Sequence, residues 1–156
     1  MTSTERRRLK TQDGLTDAAL NALWQFVGIA DASLVAAGVP VTLTQFRALT
    51  MIARHGPVSA TTLARLVGVA PSTATRMCDR LVRDGLLARR PSAEDRRVVT
   101  VSLTRPGEAV VRDVTKWRRV ALAERFADID SGRRAELASA LEECVFVLSR
   151  RVEAEL

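Results

Sequence analysis

From Leu15 the apolar positions Leu15, Ala19, Leu23, Phe26, Val27, Ala30 and Leu34 recur at steps of three and four, until Gly38 and Pro40 stop the pattern. That spacing predicts one long helix. Leu20, Trp24 and Val35 stand beside the main line, so the stripe is wide enough to bury two faces rather than one. Thr42 and Gln45 have the spacing of a capping box and open a second helix, which runs through Phe46, Leu49 and Ile52 to Gly56-Pro57. Ser59 is placed to cap a short third helix holding Leu63, Ala64 and Leu66, broken by Gly68. Pro71 then takes the first-turn position of a fourth helix, about Pro71 to Asp84.

The fourth helix is sharply two-sided. Ala74, Met77, Cys78, Leu81 and Val82 share one face, while Ser72, Thr73, Thr75, Arg76, Arg80 and Arg83 lie toward the other. Past Gly85 the period changes to short strand-like runs, 86–90 and 98–103, separated by the charged segment 91–97, which predicts a hairpin with a charged tip. Thr104 is the next expected cap. Val110, Val111, Val114, Trp117, Leu122 and Phe126 mark a fifth helix, interrupted near Asp128-Ile129-Asp130. Ser131 is read as the cap of a sixth, carrying Leu137, Leu141, Cys144, Val145, Leu148 and Val152 at helical spacing. Residues 1–12 have no hydrophobic period and are expected to be a flexible basic arm.

Composition narrows this picture. With 156 residues the chain fits one domain, or one small domain with an oligomerisation element. Hydrophobic residues make up 47% but aromatics only 4%, so the core must be built from Leu, Val and Ala. The formal charge is +6, carried almost wholly by arginine, since Lys10 and Lys116 are the only lysines. This balance suits a polyanionic partner, and the guanidinium fork can pair bidentately with a phosphate or a guanine edge; a solubilising basic surface is the alternative reading. No continuous apolar run reaches the ~18–20 residues that cross a bilayer, and the polar start lacks the apolar core of a secretory signal. A cytoplasmic protein without membrane contact is expected. Cys78 and Cys144 sit at apolar positions and read as two reduced, buried small hydrophobes.

A short helix, a Gly-containing turn, a second helix with a polar and basic outer face, and then a hairpin compose a winged helix-turn-helix. The fold class expected is therefore mainly α with a small β-hairpin wing, a winged helix-turn-helix joined to a helical dimerisation region. A helix fits the major groove of B-DNA, and the first residues of the recognition helix meet base edges while the preceding helix crosses the backbone. On that geometry Ser72, Thr73 and Arg76 are base-reading candidates, and Thr75, Arg80 and Arg83 contact phosphates. Ser59, Thr61 and Thr62 on the preceding helix join the DNA-binding set. Arg96 and Arg97 at the hairpin tip are placed to enter a minor groove, where narrow A·T segments attract arginine. Asp95 is placed to orient the Arg97 guanidinium. An exposed face and a charged turn that merely meet water remain the bland alternative.

Asp95-Arg96-Arg97 followed by Leu103-Thr104 and Gly107 resembles the DxR…LTxxG wing signature of the MarR family of regulators. Leu43-Thr44, Phe46 and Leu49 resemble that family's second helix, Leu63-Ala64 its third, and Ser72, Thr75-Arg76, Asp79-Arg80-Leu81 and Gly85-Leu86 its recognition helix and the start of its wing. The similarity covers nearly the whole chain. It implies a homodimer in which the first, fifth and sixth helices of two subunits interlock, with Leu15, Leu20, Leu141, Val145, Leu148 and Val152 as interface candidates. The corresponding division is 1–12 arm, 13–40 N-terminal dimerisation helix, 41–104 DNA-binding domain and 105–156 C-terminal dimerisation helices. The resemblance further implies a pocket for a small aromatic or anionic effector, with Trp24, Phe46, Arg47, Met51 and Trp117 as candidate liners. A ligand-responsive repressor of double-stranded, pseudopalindromic operator DNA is the function expected. The family often has a capping Ser or Thr where Ala70 stands here, so the recognition helix lacks a side-chain cap, and Thr73 or water is expected to take up its free amides.

No phosphate-binding loop, nucleophile elbow or HExxH helix occurs, and one histidine, His55, excludes a multi-histidine metal site. Neither an enzyme nor a cofactor is expected. A protein-binding winged-helix adaptor and a nuclease using Glu94 and Asp95 are the readings that compete.

Overall fold

The computed structural model describes the backbone of residues 3–92 and 97–154, and side chains within 14–92 and 97–148. The chain order is α1 (Ser3–Ala36), α2 (Leu43–His55), β1 (Val58–Ser59), α3 (Ala60–Val67), α4 (Pro71–Arg83), β2 (Leu87–Pro91), β3 (Val99–Leu103), α5 (Arg105–Arg125) and α6 (Ser131–Ala154).

Local chemistry sets most boundaries. At the start of α2 the Gln45 amide donates to Thr42 Oγ1 (3.2 Å) while the Thr42 amide donates to Gln45 Oε1 (2.8 Å), a complete capping box. Ser59 caps α3 by accepting from the Thr62 amide, and Gly68 ends it in the left-handed conformation, φ 72°, ψ 44°. Thr104 caps α5 by accepting from the Gly107 amide, and its own hydroxyl donates to Gly85 O at 2.6 Å.

The core lies under α2, α3 and α4, where Leu49, Leu63, Leu81 and Cys78 are fully buried. Val58, Leu87 and Val101 close it from the sheet, and Leu34 and Val114 from α1 and α5. The sheet is antiparallel in the order β1-β3-β2, with Val58 opposite Val101 and Leu87 opposite Leu103. The wing is thus a hairpin with a third, two-residue strand on its edge. That strand is too short to show a period and is specified by its partner rather than by its own residues.

Three expectations need correction, and α1 adds an observation to a fourth. The helix α1 begins at Ser3, so residues 3–12 continue it and are not a separate flexible arm; Glu, Arg, Leu and Lys favour helix even without an apolar stripe. Asp130, not Ser131, caps α6: its Oδ1 accepts from the Arg133 amide at 3.0 Å, and Ser131 is the first helical residue. Cys78 is buried, and burial pushes its thiol pKa up, but Cys144 is exposed on α6. Finally, the stretch Gly14–Ala36 of α1, 23 residues, is long and apolar enough to cross a membrane by length and composition, although no unbroken apolar run occurs in it. Its many Ala residues raise the average hydropathy while Asp17 and Asp31 interrupt the run.

Candidate nucleic-acid interface

The helix α4 sorts its side chains cleanly. Ala74, Met77, Cys78 and Leu81 are buried, and Ser72, Thr73, Thr75, Arg76, Arg80 and Arg83 are all exposed on the other side. Pro71 occupies the first turn, where its missing N–H costs nothing. Ala70 is the N-cap residue, in extended conformation, and no side chain caps the turn. The Thr73 amide donates to Ala70 O within the backbone, and the expected cap by Thr73 is not formed. The positive end of a 13-residue helix therefore faces outward beside Ser72 and Thr73.

Two of the exposed groups already have partners. Thr75 Oγ1 donates to Pro71 O at 3.0 Å, which leaves its lone pairs rather than its proton to an incoming donor. Arg80 Nε lies 3.8 Å from Asp84 Oδ2, a loose, solvent-screened pair. On α3, Thr61 is exposed, while the Ser59 hydroxyl donates to Thr62 Oγ1 at 3.0 Å in addition to capping the helix. Ser59 and Thr62 share a cleft of about 520 Å³ with Arg90, Ser92, Thr100 and Ser102 from the wing. Arg90 was not among the sequence candidates. The signal for it is the strand alternation, which puts Arg90 opposite Thr100 and on the face away from Arg89.

At the wing tip Arg97 is exposed, and Asp95 and Arg96 lie outside the described residues. Arg89 donates to the Asp79 carboxylate of α4, an ion pair joining wing to helix.

The five candidate effector residues differ widely in exposure. Trp24 is 70% exposed and Arg47 is exposed, Met51 and Trp117 are half-buried, and Phe46 is buried in the core. Arg118, which sequence reasoning passed over, organises this junction. Its guanidinium lies 4.5 Å above the Phe46 ring, and it donates to Ser33 Oγ (2.8 Å) and Ala30 O (3.2 Å) on α1. Burial lowers its pKa from the usual guanidinium value, and Asp31 partly opposes the shift; it stays charged at any physiological pH. A separate apolar cavity of about 370 Å³ is lined by Phe26 of α1, Phe126 and Ile129 past α5, and Leu137 and Leu141 of α6.

Of the interface candidates, Leu15, Leu20, Leu141, Val145 and Leu148 are all exposed; the side chain of Val152 lies outside the described set.

Comparison with known proteins matches residues 41–99 to the sequence profile of the MarR family. The HTH-type transcriptional repressor MdtR of Bacillus subtilis is 35% identical over 83 residues, 53% of this chain, which spans only about half (54%) of that relative's length. The HTH-type transcriptional regulator Mb0904 of Mycobacterium bovis is 35% identical over 103 residues, covering 66% of this chain and 72% of that protein. Among solved structures, RV1404 from Mycobacterium tuberculosis superposes with a TM-score of 0.81 at 37% identity, covering 88% of this chain and 93% of the other. A MarR family protein from Bacillus stearothermophilus gives 0.71 at 25% identity over 98% and 99% of the two chains.

Proposed function

Since this chain belongs to the MarR family of winged-helix transcriptional regulators, we propose that it binds a pseudopalindromic operator in duplex DNA as a homodimer and represses transcription until a small aromatic or anionic effector releases it. The observation that carries the reading is the outer face of α4, where Ser72, Thr73, Thr75, Arg76, Arg80 and Arg83 are exposed together beside an arginine-bearing wing. Ser72, Thr73 and Arg76 read base edges; Arg80, Arg83, Thr75 once its hydroxyl turns from Pro71 O, and the α3 residues Ser59, Thr61 and Thr62 hold phosphates; and Arg96 and Arg97 enter the minor groove, with Asp95 orienting the Arg97 guanidinium.

Dimerisation rests on a different feature. Trp24 at 70%, Val145 at 63% and Leu148 at 66% exposure leave apolar faces on α1 and α6 that water does not tolerate as contiguous patches. Residues 13–40 and 105–156 supply the two-fold contact, and 41–104 the DNA-binding lobe. The apolar character of Gly14–Ala36 is accounted for by this contact, in a cytoplasmic protein. The repressor role is supported by the relative named as a repressor. Effector binding is assigned to the α1, α2 and α5 junction near Trp24, Phe46, Arg47, Met51 and Trp117, where Arg118 supplies a positive charge.

Selection of bound sequences from a pool of random duplexes tests the reading. Two inverted half-sites about one helical turn apart, roughly 10–10.5 bp, are expected. A pool that enriches no sequence would overturn it. The enriched duplex then serves to screen small aromatic acids for loss of binding.

A further inference from the structure

We propose that Asp79 and Arg89 form a strut that fixes the pitch of the wing against the recognition helix, so that both act as positioning residues for sequence discrimination; the proposal rests on the DNA-binding reading above. Asp79 is the one acidic residue within Pro71–Arg83. A carboxylate in the middle of a helix that approaches phosphates repels them, and the structure shows what it does instead: it accepts from the Arg89 guanidinium.

The geometry connects the two parts that read DNA. Asp79 lies three residues after Arg76 and four before Arg83, one helical turn from each. Arg89 stands opposite Val101 in the β2–β3 ladder and shares a face with Leu87. Leu87 and Val101 are buried against the core, so Arg89 leaves the sheet on its core side and meets α4 where the packed contact runs out. Both side chains are a little under half exposed, 44% for Arg89 and 43% for Asp79, which makes the pair the outer edge of that contact. From Arg89 onward, pairing through Arg90 and Pro91 with Thr100 and Val99 keeps the strand in register toward the tip. A shift at Arg89 is therefore carried along the wing. The pair also removes Arg89 from the cations offered to phosphate.

The test compares wild type, Asp79→Asn, Arg89→Gln and the charge exchange Asp79→Arg with Arg89→Asp, all in the full chain. Each is titrated with the selection-enriched duplex and with a shuffled duplex of the same composition over a salt series, with thermal melts to establish folding. In Asp79→Asn the freed Arg89 reaches phosphate, so binding to shuffled DNA tightens and the slope of log K against log salt steepens by about 0.9. Preference for the enriched duplex falls about tenfold, the size of one lost specific contact. Arg89→Gln loses the same preference with no steepening, and the charge exchange restores most of it. A role confined to stability does not produce the change in slope. If Asp79→Asn fails to fold, Asp79→Glu replaces it: the charge remains on a longer stem, so preference falls at unchanged slope. Folded single variants that discriminate like wild type overturn the strut, as does a slope that drops by about one phosphate in Arg89→Gln. A wild type that enriches no sequence instead overturns the DNA-binding reading itself.

Discussion

Arg76 occupies the second turn of α4, exposed, on the face where a groove-bound helix presents its side chains. Arg76→Ala should reduce discrimination between operator and shuffled DNA by about 1–3 kcal/mol, as measured by parallel titrations; equal loss on both duplexes would assign the side chain to the backbone. At the opposite end of the lobe, Gly107 is constrained by space rather than by dihedral angle. A Cβ there would stand 2.2 Å from Leu86 O and 3.2 Å from the Leu103 side chain. The carbonyl is backbone and also accepts from the Thr104 amide at 3.1 Å, so it cannot yield cheaply. Gly107→Ala should destabilise the fold by about 1–3 kcal/mol, seen as a lower denaturant midpoint. That close approach is the physical content of the glycine in the LTxxG segment: it lets α5 leave directly from the end of the wing.

Among the elements, α5 joins the DNA-binding lobe to α1. Its inner residues Val114 and Ala121 are buried, and between them Arg118 bridges to Ser33 and Ala30 on α1 while covering Phe46 of α2. Three helices therefore share one cation. Charge-assisted hydrogen bonds contribute about 1.5–3 kcal/mol each when buried, less when part-exposed as here. Arg118→Ala should cost about 1–3 kcal/mol in denaturant unfolding. Ser33 keeps a partner without it, because its hydroxyl already donates to Ala30 O at 2.5 Å. The same variant should change the response of DNA binding to any effector seated at this junction, which parallel titrations with and without the released-by compound would register.

For the whole molecule, the question is what covers α1 and α6. Val145, Phe146 and Leu148 present 63%, 61% and 66% of their surface to solvent, and burying such side chains is worth about 1.5–3 kcal/mol apiece. Val145→Glu should shift the protein from dimer toward monomer in sedimentation at micromolar concentration, and should weaken operator binding because the second half-site is lost. A variant that remains dimeric and binds normally would move the two-fold contact away from α6. Cys144 lies on this helix next to Val145, so its accessibility to a thiol reagent offers a second reading of the same contact.

What the sequence by itself determined is whatever closes within a few residues. The Thr42–Gln45 box, the Ser59 and Thr104 caps, the stop at Gly68, the two-sided α4 and the change of period after Gly85 all depend on neighbours three or four positions away, and each is found where its spacing put it. The exposed face of α4 was legible for the same reason. Tertiary structure decided the pairings between distant segments: β1 on β3, Arg118 on Ser33, Asp79 on Arg89, and the cleft that adds Arg90 to Ser59 and Thr62. A charged side chain in a pattern carries its sign but not its partner, since the partner is chosen by packing between elements whose order along the chain says little about their distance in space. The exposure of Cys144 follows the same logic, because an apolar position at helical spacing does not by itself say which neighbour, if any, packs on it.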